Sequence, residues 1–257
     1  MRLGFSSKTL SLGFALGLAL LPTCVRGQNA SHSTHWAYKG AEGPNEWGNL
    51  DSSYATCSVG RTQSPIDIKE AKKADLAPLK FDYKAVPLNI IDNGHTIQVN
   101  YAPGSTLTVG DKTYALKQFH FHHPSEEHVN GHGYDMVAHL VHADADGHLA
   151  VVAVLLKKGS SNSFLETVWT NIPKEKDKAV DVSSVSLNLK DILPAEHSYF
   201  TFAGSLTTPP CSEGVAWYVL KSQSSLSAEQ LAAFAKLYPL NARPIQPSNG
   251  RQILETK

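Results

Sequence analysis

The sequence predicts a mainly β fold of the α+β class, a single domain with short helices at its edges. Three observations carry that reading. Apolar residues alternate with polar ones in short runs spread over most of the chain, and Pro, Gly, Asn and Asp separate the runs. Only two segments have helical spacing. Period-two alternation marks a strand with one buried face, whereas i, i+3, i+4 spacing marks a helix. Within 257 residues, 42% of them hydrophobic, no repeat or linker divides the chain, so one sizeable core is expected.

Taken in order, Arg2 and Lys8 precede an apolar run from Leu10 to Leu21. Twelve residues are too few to span a bilayer as a helix, which needs about 20. A basic start, short apolar middle and polar exit predict a secretory signal peptide over residues 1–27, leaving 28–257 as the mature domain. Cys24 stands near the exit, but Pro22 and Thr23 replace the small residues of a lipidation box. Asn29-Ala30-Ser31 is a glycosylation sequon.

Residues 28–60, rich in Gly, Ser, Asn and Trp, read as an irregular arm. Strands are expected at Leu88–Ile91, Thr96–Tyr101, Ser105–Val109 and Thr113–Phe121. Further strands are expected at Asp135–His142, Ala150–Leu156 and Gly214–Leu220, with a hairpin turn at Asp144-Ala145-Asp146-Gly147. Phe164, Leu165, Val168, Trp169 and Ile172 have helical spacing. A second helix is expected over Ser227–Tyr238, where Ser227 and Gln230 make a capping-box pattern ahead of Leu231, Phe234 and Leu237.

Lys plus Arg equal Asp plus Glu at 23 each, which argues against a nucleic-acid binder. Once the signal is removed, Cys57 and Cys211 are the remaining cysteines. In an oxidising compartment two such thiols tend to pair, and the long loop they close would add ~4–5 kcal/mol in the chain-entropy account. The alternative is two buried free thiols.

Twelve His against three Cys and two Met is unusual, and seven of the twelve lie between His120 and His142. In His120-Phe121-His122, strand alternation puts both imidazoles on one face. His139 follows in the next expected strand, beyond a turn carrying Pro124, Asn130, Gly131 and Gly133. Three neutral imidazoles with an open fourth position make a catalytic zinc site. The residues alone leave His123, His128, His132 and His142 open as ligands. His142 is an odd number of residues from His139 and so belongs to the opposite face.

Five segments then make the pattern specific. Gln118-Phe119-His120-Phe121-His122, with Ser125-Glu126-Glu127-His128 and His139-Leu140-Val141-His142, closely resembles the α-class carbonic anhydrases. Gln63-Ser64-Pro65-Ile66-Asp67-Ile68 resembles an early core signature of that family, and Asn93-Gly94-His95 its proton-shuttle segment. Gly204-Ser205-Leu206-Thr207-Thr208-Pro209-Pro210-Cys211, with Glu213 and Trp217, resembles its active-site loop. Asn241-Ala242-Arg243-Pro244-Ile245-Gln246 resembles its C-terminal signature, and the likeness runs in order over about residues 35–253.

The resemblance implies a large twisted, mostly antiparallel sheet of about ten strands with the metal site in a cone-shaped cavity. It implies reversible hydration of CO2 to bicarbonate and a proton through a zinc-bound hydroxide, with one Zn²⁺ on His120, His122 and His139. Thr207 would accept from that hydroxide and donate to Glu127. Val141, Val151, Leu206, Val215 and Trp217, beside Thr208, would form the CO2 pocket. His95 would carry the proton out, since an imidazole titrates near neutrality. Asn93, Gln98 and Tyr38 would line the polar side, and Gln118 would accept from one of the ligand rings. Anions and sulfonamide-type inhibitors are expected at the zinc. The protein would be periplasmic or extracellular and not membrane-spanning, with a homodimer admissible.

One position departs from the family, which places a Glu two residues before the third ligand. This chain has Val137 there, and valine cannot accept a hydrogen bond. Losing such a partner costs ~10–100-fold in metal affinity or activity, so a weaker or faster-exchanging zinc site is expected. Two rival readings remain. An exported zinc-binding protein with this fold and little activity is one. The other is a cupin-type metal oxygenase, whose first motif His120-x-His122-x-x-x-Glu126 resembles; the second cupin motif, Pro-x-Gly and a later His, is not found.

Overall fold

Strand alternation accounts for most of the architecture. The structure, a computed structural model, describes Met1, Gly4 and residues 34–257. The expected signal peptide, apart from Met1 and Gly4, and with it Cys24 and the Asn29 sequon, lies outside the described residues.

Three short strands, β1 (Asp67–Ile68), β2 (Lys72–Ala74) and β3 (Leu79–Asp82), precede the longer β4 (Val86–Asp92), β5 (Ile97–Asn100), β6 (Thr106–Val109) and β7 (Lys112–His122). Next come β8 (His128–Val129), β9 (Met136–Ala143) and β10 (Leu149–Lys158). The set closes with β11 (Val180–Leu187), β12 (Tyr199–Ser205), β13 (Glu213–Leu220), β14 (Ser224–Leu226) and β15 (Leu254–Thr256). Thirteen strands form one sheet, along β11-β4-β5-β7-β9-β10-β13-β12-β15-β2, with β6, β3 and β14 paired beside that path; β1 and β8 pair separately. The pairings in the large sheet are antiparallel except β10–β13, β10–β14 and β15–β2. The sheet exceeds the expected ten strands because short polar edge strands extend it. β11 shows only one buried residue, Leu187, and gives no alternation to read.

At the centre, β9 and β10 are apolar almost throughout because both faces are covered. One face packs Phe119, Phe121, Leu140 and Val152 against Phe164 and Phe234. These last two belong to the helices α3 (Ser163–Thr170) and α4 (Ala228–Leu237), which follow two one-turn helices, α1 (Trp47–Leu50) and α2 (Thr56–Val59). The other face gathers Val137, Val151, Val215 and Trp217. Ser227 caps α4 with both halves of the capping box formed. The α3 helix ends at Thr170, before Ile172. Cys57 and Cys211 form a disulfide, packed with Trp47 and Tyr54.

Candidate metal centre

Sheet register builds the site. His120 of β7 lies directly opposite His139 of β9, and His122 opposite Val137. Opposed residues share a face, so the row Gln98, His120, His139, Ala153 crosses β5, β7, β9 and β10 on one side of the sheet. The adjacent row on that side runs Asn100, Gln118, Val141, Val151, Trp217, Phe202. A ligand row therefore lies against a row that turns from polar to apolar along its length.

Each ring has one nitrogen committed. His120 Nδ1 lies 2.8 Å from Gln118 Oε1. His122 Nδ1 donates to the Asn241 carbonyl at 2.7 Å. His139 Nε2 donates to Glu127 Oε1 at 2.9 Å. These bonds fix the tautomers and leave Nε2, Nε2 and Nδ1 as lone-pair donors. One ligand atom from each ring lies within 4.8 Å of the others. His122 Nε2 is buried without a hydrogen-bond partner among the described residues, which would be costly unless something accepts its lone pair. Three imidazole nitrogens suit zinc, so the residues fit a small divalent cation. A second group, Asp144, Asp146 and His148, sits in the hairpin turn, with Asp146 and His148 exposed.

Burial, reinforced by the neighbouring His139, pushes His120 down to about 3. His122 is likewise held well below the ordinary histidine value by burial, then by His139 and His120. Both rings are thus neutral at pH 7, the form a metal requires. Burial also opposes charge on His139, but the Glu127 carboxylate, with Glu126 behind it, outweighs burial and raises it.

The two adjacent carboxylates divide differently from the expectation. Glu127, expected to receive the Thr207 proton, bonds His139 instead, and Glu126 is the carboxylate that Thr207 approaches. Consecutive residues of the β7–β8 loop point apart, so only one can face Thr207, and Ser-Glu-Glu alone does not say which. The Thr207 contact favours the charged form of Glu126 without a fully formed hydrogen bond, and Glu126 Oε2 has no partner among the described residues. Glu126 Oε1 accepts from the Arg243 amide at 2.8 Å. Burial lifts the Glu126 carboxyl to about 7.

Two residues of this network, Asn241 and Arg243, had no role assigned from the sequence, and Glu126 figured only in the cupin-type motif. Their motifs were visible, but a backbone carbonyl or amide gives no side-chain signal. Arg243 also donates to Gln63 Oε1, Ser64 O and Cys57 O at 2.8–3.0 Å, tying the disulfide to the carboxylate loop.

The other expected residues fall as follows. The His95 ring stacks on Trp36 with centroids 3.8 Å apart, and burial lowers its pKa. Asn93 Oδ1 accepts from the His95 and Thr96 amides and so shapes that turn. Gln98 donates to Asn100 at 2.7 Å. Tyr38 packs edge-on to Trp36 and Trp47, and its pKa is raised by burial and by Glu126. Leu206 and Val141 pack against the apolar row, where Val151, Val215 and Trp217 are buried. Gly204 has no substitute there, since a Cβ would come within 2.6 Å of Trp217 Cδ1. Thr208 accepts from the Cys211 amide across the turn that carries Thr207.

The chain matches the family model described as eukaryotic-type carbonic anhydrase over residues 42–257. It is 42% identical over 240 residues to a carbonic anhydrase of Pectobacterium carotovorum, covering 93% of this chain and 98% of that protein. Among solved structures, a hyperthermostable carbonic anhydrase from an active hydrothermal vent chimney superposes with a TM-score of 0.84 at 45% identity, covering 87% of this chain and 100% of that one. The α-carbonic anhydrase of Thermovibrio ammonificans, in complex with the inhibitor sulfanilamide, gives 0.83 at 42% identity, over 88% and 100%. Fold, converging imidazoles and near-complete coverage at this identity agree: the chain belongs to the eukaryotic-type, or α-class, carbonic anhydrase family.

Proposed function

We propose that this site hydrates CO2 reversibly with one zinc ion, held by His120 and His122 through Nε2 and by His139 through Nδ1. The reaction is that of the family to which the chain belongs. The observation that carries the assignment of ligands is the set of three rings, each with one nitrogen anchored and the other free to face its neighbours. Zinc on three imidazoles makes water acidic near pH 7, and carbonic anhydrase is the type case of that effect.

Thr207 and Glu126 supply orientation. Directing its proton to Glu126 would leave the Thr207 oxygen able only to accept, so it would select a partner that still carries a proton. Val141, Val151, Leu206, Val215 and Trp217, with Thr208 at the rim, offer the apolar wall that CO2 needs. His95 takes the released proton to solvent. Burial disfavours its charged form, so a proton taken up is readily released. Asn93 and Gln98 line the polar side, with Tyr38 near Glu126.

Sulfonamide binding at the zinc is supported by the sulfanilamide complex of the Thermovibrio enzyme. Export to the periplasm or cell exterior is supported by the disulfide and the basic-apolar N-terminus. No helix among the described residues is long and apolar enough to cross a membrane. Stopped-flow CO2 hydration with zinc determined on the same sample tests the reading. One zinc per chain with fast hydration is the expected result. Zinc without hydration would instead make the chain a zinc-binding protein.

A further inference from the structure

We propose that Glu127 is the positioning residue of His139, and that Glu127 and Val137 are a coupled pair in which the carboxylate stands on a loop instead of the ligand strand. The proposal rests on the zinc reading above. Val137 is two residues before His139 on β9, on the same face and opposite His122. It is fully buried among Ile66, Val151 and Leu155 and has nothing to accept a hydrogen bond with. The acceptor comes instead from the β7–β8 loop, where Glu127 Oε1 takes the His139 Nε2 proton at 2.9 Å.

Three features distinguish this contact from incidental packing. Glu127 is wholly buried, and His139 is the one hydrogen-bond partner of its carboxylate among the described residues. A buried carboxylate with a single partner is a poor stabiliser, because its desolvation can exceed what the one contact returns. The contact also fixes the tautomer that leaves His139 Nδ1 free toward His120 and His122. Finally, Glu126 already lies beside the same rings, 3.5 Å from His122 Nδ1 and 3.9 Å from His139 Nδ1. A carboxylate at 137 as well would put a third buried negative charge in one pocket, so valine there and glutamate at 127 go together. The acceptor has been relocated, and the weaker zinc site expected from Val137 alone does not follow.

The test compares the zinc-loaded protein with Glu127→Leu, Glu127→Gln, Val137→Glu and the double variant Glu127→Leu/Val137→Glu. Zinc affinity is measured by competition with a chromophoric chelator, alongside visible spectra of the cobalt-substituted forms and melting of the zinc-free forms. Glu127→Leu should lose about 10–100-fold in zinc affinity, and melting of its zinc-free form separates that loss from any loss of fold. Glu127→Gln keeps an accepting oxygen and should lose less. Adding Val137→Glu to Glu127→Leu should restore most of the loss and the parent cobalt spectrum, whereas Val137→Glu alone should gain nothing. Glu127→Leu and Glu127→Gln both within about threefold of the parent, with the parent holding one zinc, would overturn the proposal. Failure of the double variant to recover affinity would overturn the pairing with Val137. A parent that binds no zinc would defeat the zinc reading itself, and this proposal with it.

Discussion

His142 is a fully buried histidine that the site does not use. It lies on the face of β9 opposite His139, as strand parity requires, with Nε2 2.8 Å from the Tyr83 hydroxyl and Nδ1 3.3 Å from the Ala150 carbonyl. Burial lowers its pKa to about 4. The folded value is below the unfolded one, about 6.5, so the unfolded chain binds the extra proton between them. The stabilisation is full above about pH 6.5 and is lost as pH falls through about 4, on the order of 3 kcal/mol in all. Urea unfolding of His142→Leu and the parent at pH 7, 6 and 5 should show the parent losing relative stability as pH falls. A difference independent of pH would contradict this. Nearer the metal, Thr207→Val and Glu126→Gln should each lower CO2 hydration about 10–100-fold with zinc retained, and the double variant should lose little more. Zinc content and stopped-flow rates on the same samples check this. Parity was enough to place His120, His122, His139 and His142 on their faces from sequence. It could not choose between Glu126 and Glu127, because a loop has no period.

Elements were legible where burial imposes a repeat. The strands β7, β9 and β10 lie mid-sheet, and their apolar positions gave bounds within two residues of those found. The strands β2, β11 and β15 are short or polar, held by pairing to neighbours rather than by side-chain burial, and left no pattern. β12 was missed for a different reason: Tyr199, Phe202, Gly204 and Ser205 are buried, so its buried positions do not alternate. The α4 cap was fully written in the sequence, since Ser227 and Gln230 bond each other's backbone reciprocally. Ser227→Ala should cost about 1 kcal/mol by denaturant titration, with catalytic rate unchanged because α4 packs on the face away from the ligands.

At the scale of the whole molecule, the Cys57–Cys211 bond spans 154 positions and joins the N-terminal arm to the loop carrying Thr207. Opening it frees a long loop in the unfolded chain, and about 2–5 kcal/mol should be lost. The denaturant midpoint of Cys57→Ser/Cys211→Ser against the parent reads that loss. Arg243 extends the clamp, because the same guanidinium holds the Cys57 carbonyl while its amide holds Glu126. The pairing of the cysteines was legible by elimination of Cys24. Its link to Glu126 was not, since that link runs through backbone atoms far apart in sequence.

Asn241 ties the His122 ring to a segment made long after it. Its carbonyl holds His122, its Oδ1 takes the His123 amide, and its Nδ2 donates to the carbonyls of Phe121 and His95. All three ligands have emerged by residue 139, more than a hundred positions before this residue is made. A chain made from its N-terminus therefore carries the three histidines for more than a hundred further positions before the partner that sets the His122 ring exists. On the zinc reading, metal capture becomes a late event, placed after residue 241 has been made. A protein cut after Leu240 should hold zinc far more loosely than the full chain, although it lacks no ligand.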